Sequence, residues 1–173
     1  MAHPRHDLVR ARYEGRCGYC GVGEVDAGGE LTVDHYVPAS AGGDDSDDNL
    51  IYCCVRCNLY KSDFTPDARQ TAAGLRVLHP VRDRVADHVA LEETTGLLIP
   101  KTETGRFHLA LLHLNRPALV AHRRRAAEVR NRETTFRALE QQVAILQTTV
   151  FILLQMTEGL RLLQPRGPEQ GEE

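Results

Sequence analysis

The sequence predicts an α+β chain: a small cysteine-stapled core of two short strands and a helix, then a β-hairpin, then one long C-terminal helix. Three observations predict it. Cysteines 17, 20, 54 and 57 form two CxxC pairs with 33 residues between them. Two short apolar runs, Leu31–Val33 and Leu50–Cys53, lie inside that interval and read as strands bounded by turn residues. From Ala118 to Gln164 there is no proline and one glycine, Gly159, so a single helix is the economical reading. The expected organisation is a core over residues 1–64, a helix and hairpin over 65–115, the long helix over 116–164, and a disordered Gly/Pro/Glu-rich tail over 165–173.

The cysteines set the first element. No apolar leader follows Met1, so the expected compartment is the cytoplasm, where a disulfide framework is disfavoured. Each CxxC turn can place two thiolates on one tetrahedral ion, and Cys17, Cys20, Cys54 and Cys57 together satisfy a structural zinc. A single redox CxxC would explain one pair and leave the other idle. Gly18 and Gly21 suit the tight first knuckle. Cys53, in the run Leu50–Cys53, is expected to pack as a small hydrophobe.

The stretch between the knuckles follows from its turn residues. Pro38, Gly42 and Gly43 make the connection between the strands a loop, and the acidic run Asp44–Asp48 reads as its solvated part. That run lacks the glycine and the glutamate that a calcium-binding EF-hand loop requires. Cys54–Asp63 then reads as a short helix.

Composition limits the partners. Hydrophobic residues make up 42% of the chain, yet there are only four Phe, five Tyr and no Trp, so a structural metal or a partner has to supplement the core. The most apolar stretch, Val143–Leu154, is interrupted by Gln147, Thr148 and Thr149 and is too short to span a bilayer. Net charge is −3, which gives no global attraction to nucleic acid. Arg116–Arg132, however, holds six Arg against one Glu. Arg123, Arg124 and Arg125 at its centre are candidates for phosphate contact, against the alternative of a solvated helix face.

The string Asp34-His35, Asn49, then Cys57-Asn58-Leu59-Tyr60-Lys61 resembles the motif of the HNH endonuclease family in its zinc-clipped form. Its steps, 14 residues from His35 to Asn49 and 9 from Asn49 to Asn58, are similar to those in the HNH domains of CRISPR effector nucleases. The resemblance covers about residues 10–64. It implies a ββα-metal (His-Me finger) nuclease core that hydrolyses phosphodiester bonds of DNA. It also implies His35 as the general base, Asp34 and Asn58 as ligands of a catalytic magnesium or manganese ion, and Asn49 as the residue that pins the loop. The chemistry of these residue types agrees. A neutral histidine suits base catalysis near neutral pH, and hard oxygen donors prefer magnesium or manganese to zinc. Lys61, one turn beyond Asn58, is placed to touch a phosphate as a point charge. A non-catalytic zinc module that binds DNA or a protein is the alternative, and the joint presence of Asp34, His35, Asn49 and Asn58 argues against it.

Beyond Asp63 the chain is less specific. Pro80–Ala90 reads as a helix with Pro80 at its first position, and His79, Asp83 and Asp87 would share its face, as a solvated face or as a second metal site. Val89–Arg106 reads as a hairpin about Glu92–Gly96, and Phe107–Leu114 as a helical run that enters Leu114-Asn115-Arg116-Pro117. His108 and His113 fall on different helix faces and are not expected to act as ligands. In the long helix Phe136, Val143 and Val150 occupy heptad a positions and Leu139, Leu146, Leu153 and Leu160 occupy d. This pattern favours a coiled-coil homodimer, with docking on a partner protein or on the chain's own core as alternatives.

Overall fold

A computed structural model of the chain describes residues 3–162, with side chains to Thr157. The expected tail over 165–173 and the d-position Leu160 lie outside these described side chains. Helix α1 (His6–Arg12) and the one-turn α2 (Glu24–Ala27) precede strand β1 (Thr32–His35), a 3-10 turn at Ala39–Ala41 and strand β2 (Leu50–Cys53). Helices α3 (Val55–Lys61), α4 (Ala68–Ala72) and α5 (Val85–His88) follow. Strands β3 (Val89–Glu92) and β4 (Leu97–Pro100), then α6 (Glu103–Leu111) and α7 (Pro117–Leu162), complete the order.

β1 and β2 pair antiparallel, with His35 opposite Leu50 and Asp34 opposite Ile51. All four residues of β2 are fully buried, which explains their unbroken apolar character. Gly43 closes the loop between the strands. A Cβ there would sit 1.8 Å from the Val37 carbonyl oxygen, so only glycine admits the Gly43 N–H to Pro38 O bond of 3.0 Å.

One hydrophobic core joins Val9, Leu31, β2 and Cys57 to Val77, Leu78, Val89, Leu109, Leu112, Leu114 and Leu119. It crosses the positions near 64 and 115 where composition suggested boundaries. Met1–Ala127 accordingly forms one compact unit, and Glu128–Glu173 a second. In that second unit the side chains of Phe136, Leu139, Val143, Leu146, Val150 and Leu153 are all more than half exposed. Among the described residues no helix is long and apolar enough to cross a membrane.

Three local expectations change. Residues 80–84 form a turn rather than the start of a helix, because the Asp83 carboxylate accepts from the His79 N–H at 2.7 Å and pairs with Arg76. His79 is buried and its Nε2 bonds the Asp48 carbonyl at 2.8 Å, so His79, Asp83 and Asp87 do not converge as a metal site. The hairpin ends at Pro100. Thr102 caps α6 by accepting from Gly105 N–H at 3.0 Å, and this starts the helix before Phe107.

Candidate active site and metal centre

The two knuckles bring Cys17, Cys20, Cys54 and Cys57 together, with all four sulfurs within 4.8 Å of one another. The Cys20 and Cys54 sulfurs are 3.8 Å apart. A tetrahedron with Zn–S bonds of about 2.3 Å has edges of about 3.8 Å, so the spacing fits one zinc ion. Gly21 has φ +75°, the left-handed geometry expected of the first knuckle. Hydrogen bonds within the cluster, that with Cys17 first, hold the Cys54 thiol below its ordinary value and push Cys20 and Cys57 above it. Thiolates this close repel one another, and a cation held among them offsets that repulsion. Cys53 stands apart, fully buried, its thiol pushed up by burial.

Arg116 was hidden in the arginine count. Its guanidinium Nη2 lies 3.8 Å from the sulfurs of both Cys54 and Cys57, and its guanidinium carbon lies 5.7 Å from the Tyr60 ring centroid. A tetrathiolate zinc site carries two net negative charges, and a partly buried cation against two of its sulfurs offsets them.

The knuckles also position the carboxylate of β1. Tyr19, between Cys17 and Cys20, donates its hydroxyl to Asp34 Oδ2 at 3.0 Å. Lys61, one turn beyond Cys57, places Nζ 3.2 Å from Asp34 Oδ1, 3.1 Å from Oδ2, and 2.6 Å from the His35 carbonyl. Lys61 is 1% exposed, so it is not the surface phosphate contact that its place in the motif suggested. A buried carboxylate needed a partner and Lys61 is the one within reach. Burial still raises the Asp34 carboxyl above its ordinary value, with Lys61 and Tyr19 pulling the other way.

Asp34, His35 and Asn58 border one open cleft of about 360 Å³, together with Ser40, Ser62 and Asp63. Asn49 lies behind it and ties the loop. Its Oδ1 accepts from Val37 N–H at 2.7 Å, and its Nδ2 donates to Val37 O at 3.0 Å and to Asp44 O at 2.8 Å. His35 Nε2 donates to Asp45 Oδ1 at 2.7 Å, and His3 Nε2 approaches the same oxygen at 3.4 Å. These bonds hold the Asp45 carboxyl below its ordinary value, that from His35 most.

Asp45 is the main residue that sequence reasoning missed, because it looked like one of four equivalent acids. The run is not free loop. Arg5 bonds the Asp45 carbonyl and the Asp47 carboxylate, Arg12 reaches Asp47 at 2.8 Å, and Arg82 and His79 bond the Asp48 carbonyl.

The arginine stripe divides. Arg123 turns inward, with Nε bonding Gly96 O at 2.6 Å and Nη2 bonding Leu114 O at 2.9 Å. Buried carbonyls rather than phosphates hold it, which corrects its expected surface role. Arg124 and Arg125 are exposed.

Residues 17–64 match the family model described as HNH endonuclease, and this segment is an HNH domain. The chain is also 27% identical, over 142 residues, to the Septu protein PtuA of Bacillus mycoides (strain KBAB4). That match covers 67% of this chain and 20% of the relative, so the chain spans about a fifth of the length of the curated protein it matches.

Proposed function

We propose that this chain is a metal-dependent endonuclease that hydrolyses phosphodiester bonds of DNA at the cleft bordered by Asp34, His35 and Asn58, on a zinc-clipped ββα-metal core. The observation that carries the reading is the hydrogen bond from His35 Nε2 to Asp45. It keeps the ring proton on Nε2 and leaves the Nδ1 lone pair free to take a proton from water. Asp45 is thus a positioning residue, and Asn49 fixes the loop that carries it.

Asp34 and Asn58 are the oxygen donors for magnesium or manganese. When bound there, the ion takes up charge that develops on the phosphate. Lys61 already neutralises part of the Asp34 charge, so Asp34 and Asn58 would hold an ion weakly by themselves, and substrate phosphate would add to the binding, as is common for magnesium. Exposed Arg124 and Arg125 add sequence-independent attraction to the backbone. The exposed apolar stripe of α7 suits a second copy of the chain or a partner protein.

The test is plasmid nicking and cutting by the full chain with magnesium, with manganese and with EDTA. Cleavage is expected with either metal and none with EDTA. His35→Ala is expected to cut slower by about 10²–10⁴ while retaining its zinc and its thermal transition. A wild-type rate in His35→Ala refutes the assignment, and loss of zinc in that variant favours a structural histidine in a binding module.

A further inference from the structure

The acidic loop, anchored as described, brings together a second set of metal donors, apart from the zinc clip, that shares His35 and Asp45 with the proposed cleavage chemistry. His3, His35 and Asp45 present three donor atoms within 4.8 Å of one another. The His3 and His35 rings meet edge-on with centroids 5.7 Å apart, and both Nε2 atoms converge on Asp45 Oδ1. The carboxylate is not adventitiously placed. Arg5 holds the Asp45 carbonyl, Arg5 and Arg12 hold Asp47, and Asn49 holds the Asp44 carbonyl.

We propose that His3, His35 and Asp45 form a second, open site for a borderline divalent ion such as zinc, and that its occupation switches off the cleavage base; the switching half rests on His35 being that base. Two imidazoles and one carboxylate are a donor set that zinc or cobalt accepts and magnesium does not favour. Three protein ligands leave one tetrahedral position to solvent, unlike the closed four-cysteine site.

The proton accounting gives the switch. Donation from His35 Nε2 to the Asp45 carboxylate puts the proton of the neutral ring on Nε2 and leaves a lone pair on Nδ1. An ion on Nε2 uses that nitrogen's lone pair, so the neutral ring now carries its proton on Nδ1. The nitrogen that would accept a proton from water is then occupied. His3 makes the same change. Its Nδ1 at present accepts from Arg5 N–H at 3.1 Å, and that bond is surrendered when the ring proton moves to Nδ1. The His35–Asp45 hydrogen bond is likewise replaced by two metal–ligand bonds.

His3 makes the idea testable, because it has no part in the proposed cleavage. The 173-residue chain carrying one zinc is dialysed against zinc at neutral pH in excess magnesium, and bound metal is counted. Cobalt serves as a coloured probe whose second equivalent lacks the sulfur charge-transfer bands of the cysteine site. Wild type is expected to take up a second ion and to lose plasmid cleavage as it does so. His3→Ala is expected to retain the first zinc and the wild-type rate in magnesium alone, to bind the second ion at least about ten-fold more weakly, and to need correspondingly more zinc for inhibition. The proposal is overturned if wild type binds one zinc only, or if His3→Ala binds the second as tightly. Absence of cleavage by metal-loaded wild type would sink the nuclease reading, while the metal count would still decide the site.

Discussion

Lys61→Met separates the buried role of this lysine from a surface one. The substitution retains most of the aliphatic stem and removes the ammonium that lies 3.1–3.2 Å from both Asp34 oxygens. Breaking one side of a buried ion pair costs about 3–5 kcal/mol, because the remaining charge is left uncompensated. Asp34 keeps the Tyr19 hydroxyl and its carboxyl is already raised by burial, so partial protonation relieves some of the penalty and the lower end, about 3 kcal/mol, is expected. At roughly 2–4 °C per kcal/mol for a chain of this size, the melting temperature should fall by roughly 6–12 °C at neutral pH. Without Lys61 the folded carboxyl rises further above its unfolded value, so between those values the folded state binds more protons and stability falls as pH rises. The deficit is therefore largest at neutral pH and smallest near the unfolded carboxyl value. The double variant Asp34→Asn/Lys61→Met should recover much of the loss, because no unpaired charge remains. Thermal melts of the zinc-loaded proteins across pH measure all of this. A Lys61→Met protein that melts with wild type, yet shows a reduced salt dependence of DNA binding, would refute the burial argument and restore the phosphate contact.

Other outcomes follow from the same geometry. Cys54→Ser should lose zinc and folded structure together, read by metal content and circular dichroism, because binding energy at a closed thiolate site is largely folding energy; a folded, zinc-free variant would contradict this. Truncation before Thr134 should convert a self-associated chain into a monomer by sedimentation while the Met1–Ala127 unit stays folded, and a full chain that sediments as a monomer at micromolar concentration removes the coiled-coil reading. His108, whose pKa burial lowers to about 4 and whose Nδ1 accepts from Leu78 N–H, stays neutral in the folded state while the unfolded chain protonates near 6.5. The unfolded state thus binds the extra proton, and about 3 kcal/mol of stability present above that value should be lost as pH falls towards about 4. His108→Gln should flatten this part of the pH dependence of the urea midpoint, and an unchanged slope would assign the acid sensitivity elsewhere.

What the sequence made legible was local. Ligand spacing announces a CxxC knuckle because both thiolates belong to one turn, and the pairing of Leu31–Val33 with Leu50–Cys53 follows from two short apolar runs joined by a Gly/Pro loop. Asp34, His35 and Asn58 were named from the family resemblance that their motif carries, and they border one cleft. What stayed hidden depended on partners distant in the chain. Helix α1 buries only Val9, too little for a periodic signal, yet it supplies the Arg12 that helps fix the acidic loop. Asp45 is chemically identical to its neighbours and is distinguished only by meeting His35. The proline at 80 resembles a helix start, but the Asp83 side chain takes the His79 N–H and makes a turn instead.

The cations show the same limit and also explain the site's construction. Lys61, Arg116 and Arg123 all read as surface charge from sequence, and all three turn inward: to a buried carboxylate, to sulfurs of the four-cysteine cluster and to backbone carbonyls. One of these inward turns, that of Lys61, begins at the metal clip, and the other knuckle adds a contact of its own. The first knuckle delivers the Tyr19 hydroxyl to Asp34 Oδ2, and the helix that starts at the second knuckle delivers the Lys61 ammonium to both oxygens. The orientation of Asp34 is therefore set from both sides by residues whose own positions depend on four cysteine sulfurs converging on one point. A clip that only stapled the chain would need neither contact. Because each knuckle contributes one, distortion of either CxxC pair reaches the carboxylate of the cleft through a single side chain, and a metal held by the four sulfurs would be coupled to the geometry of the site it does not enter.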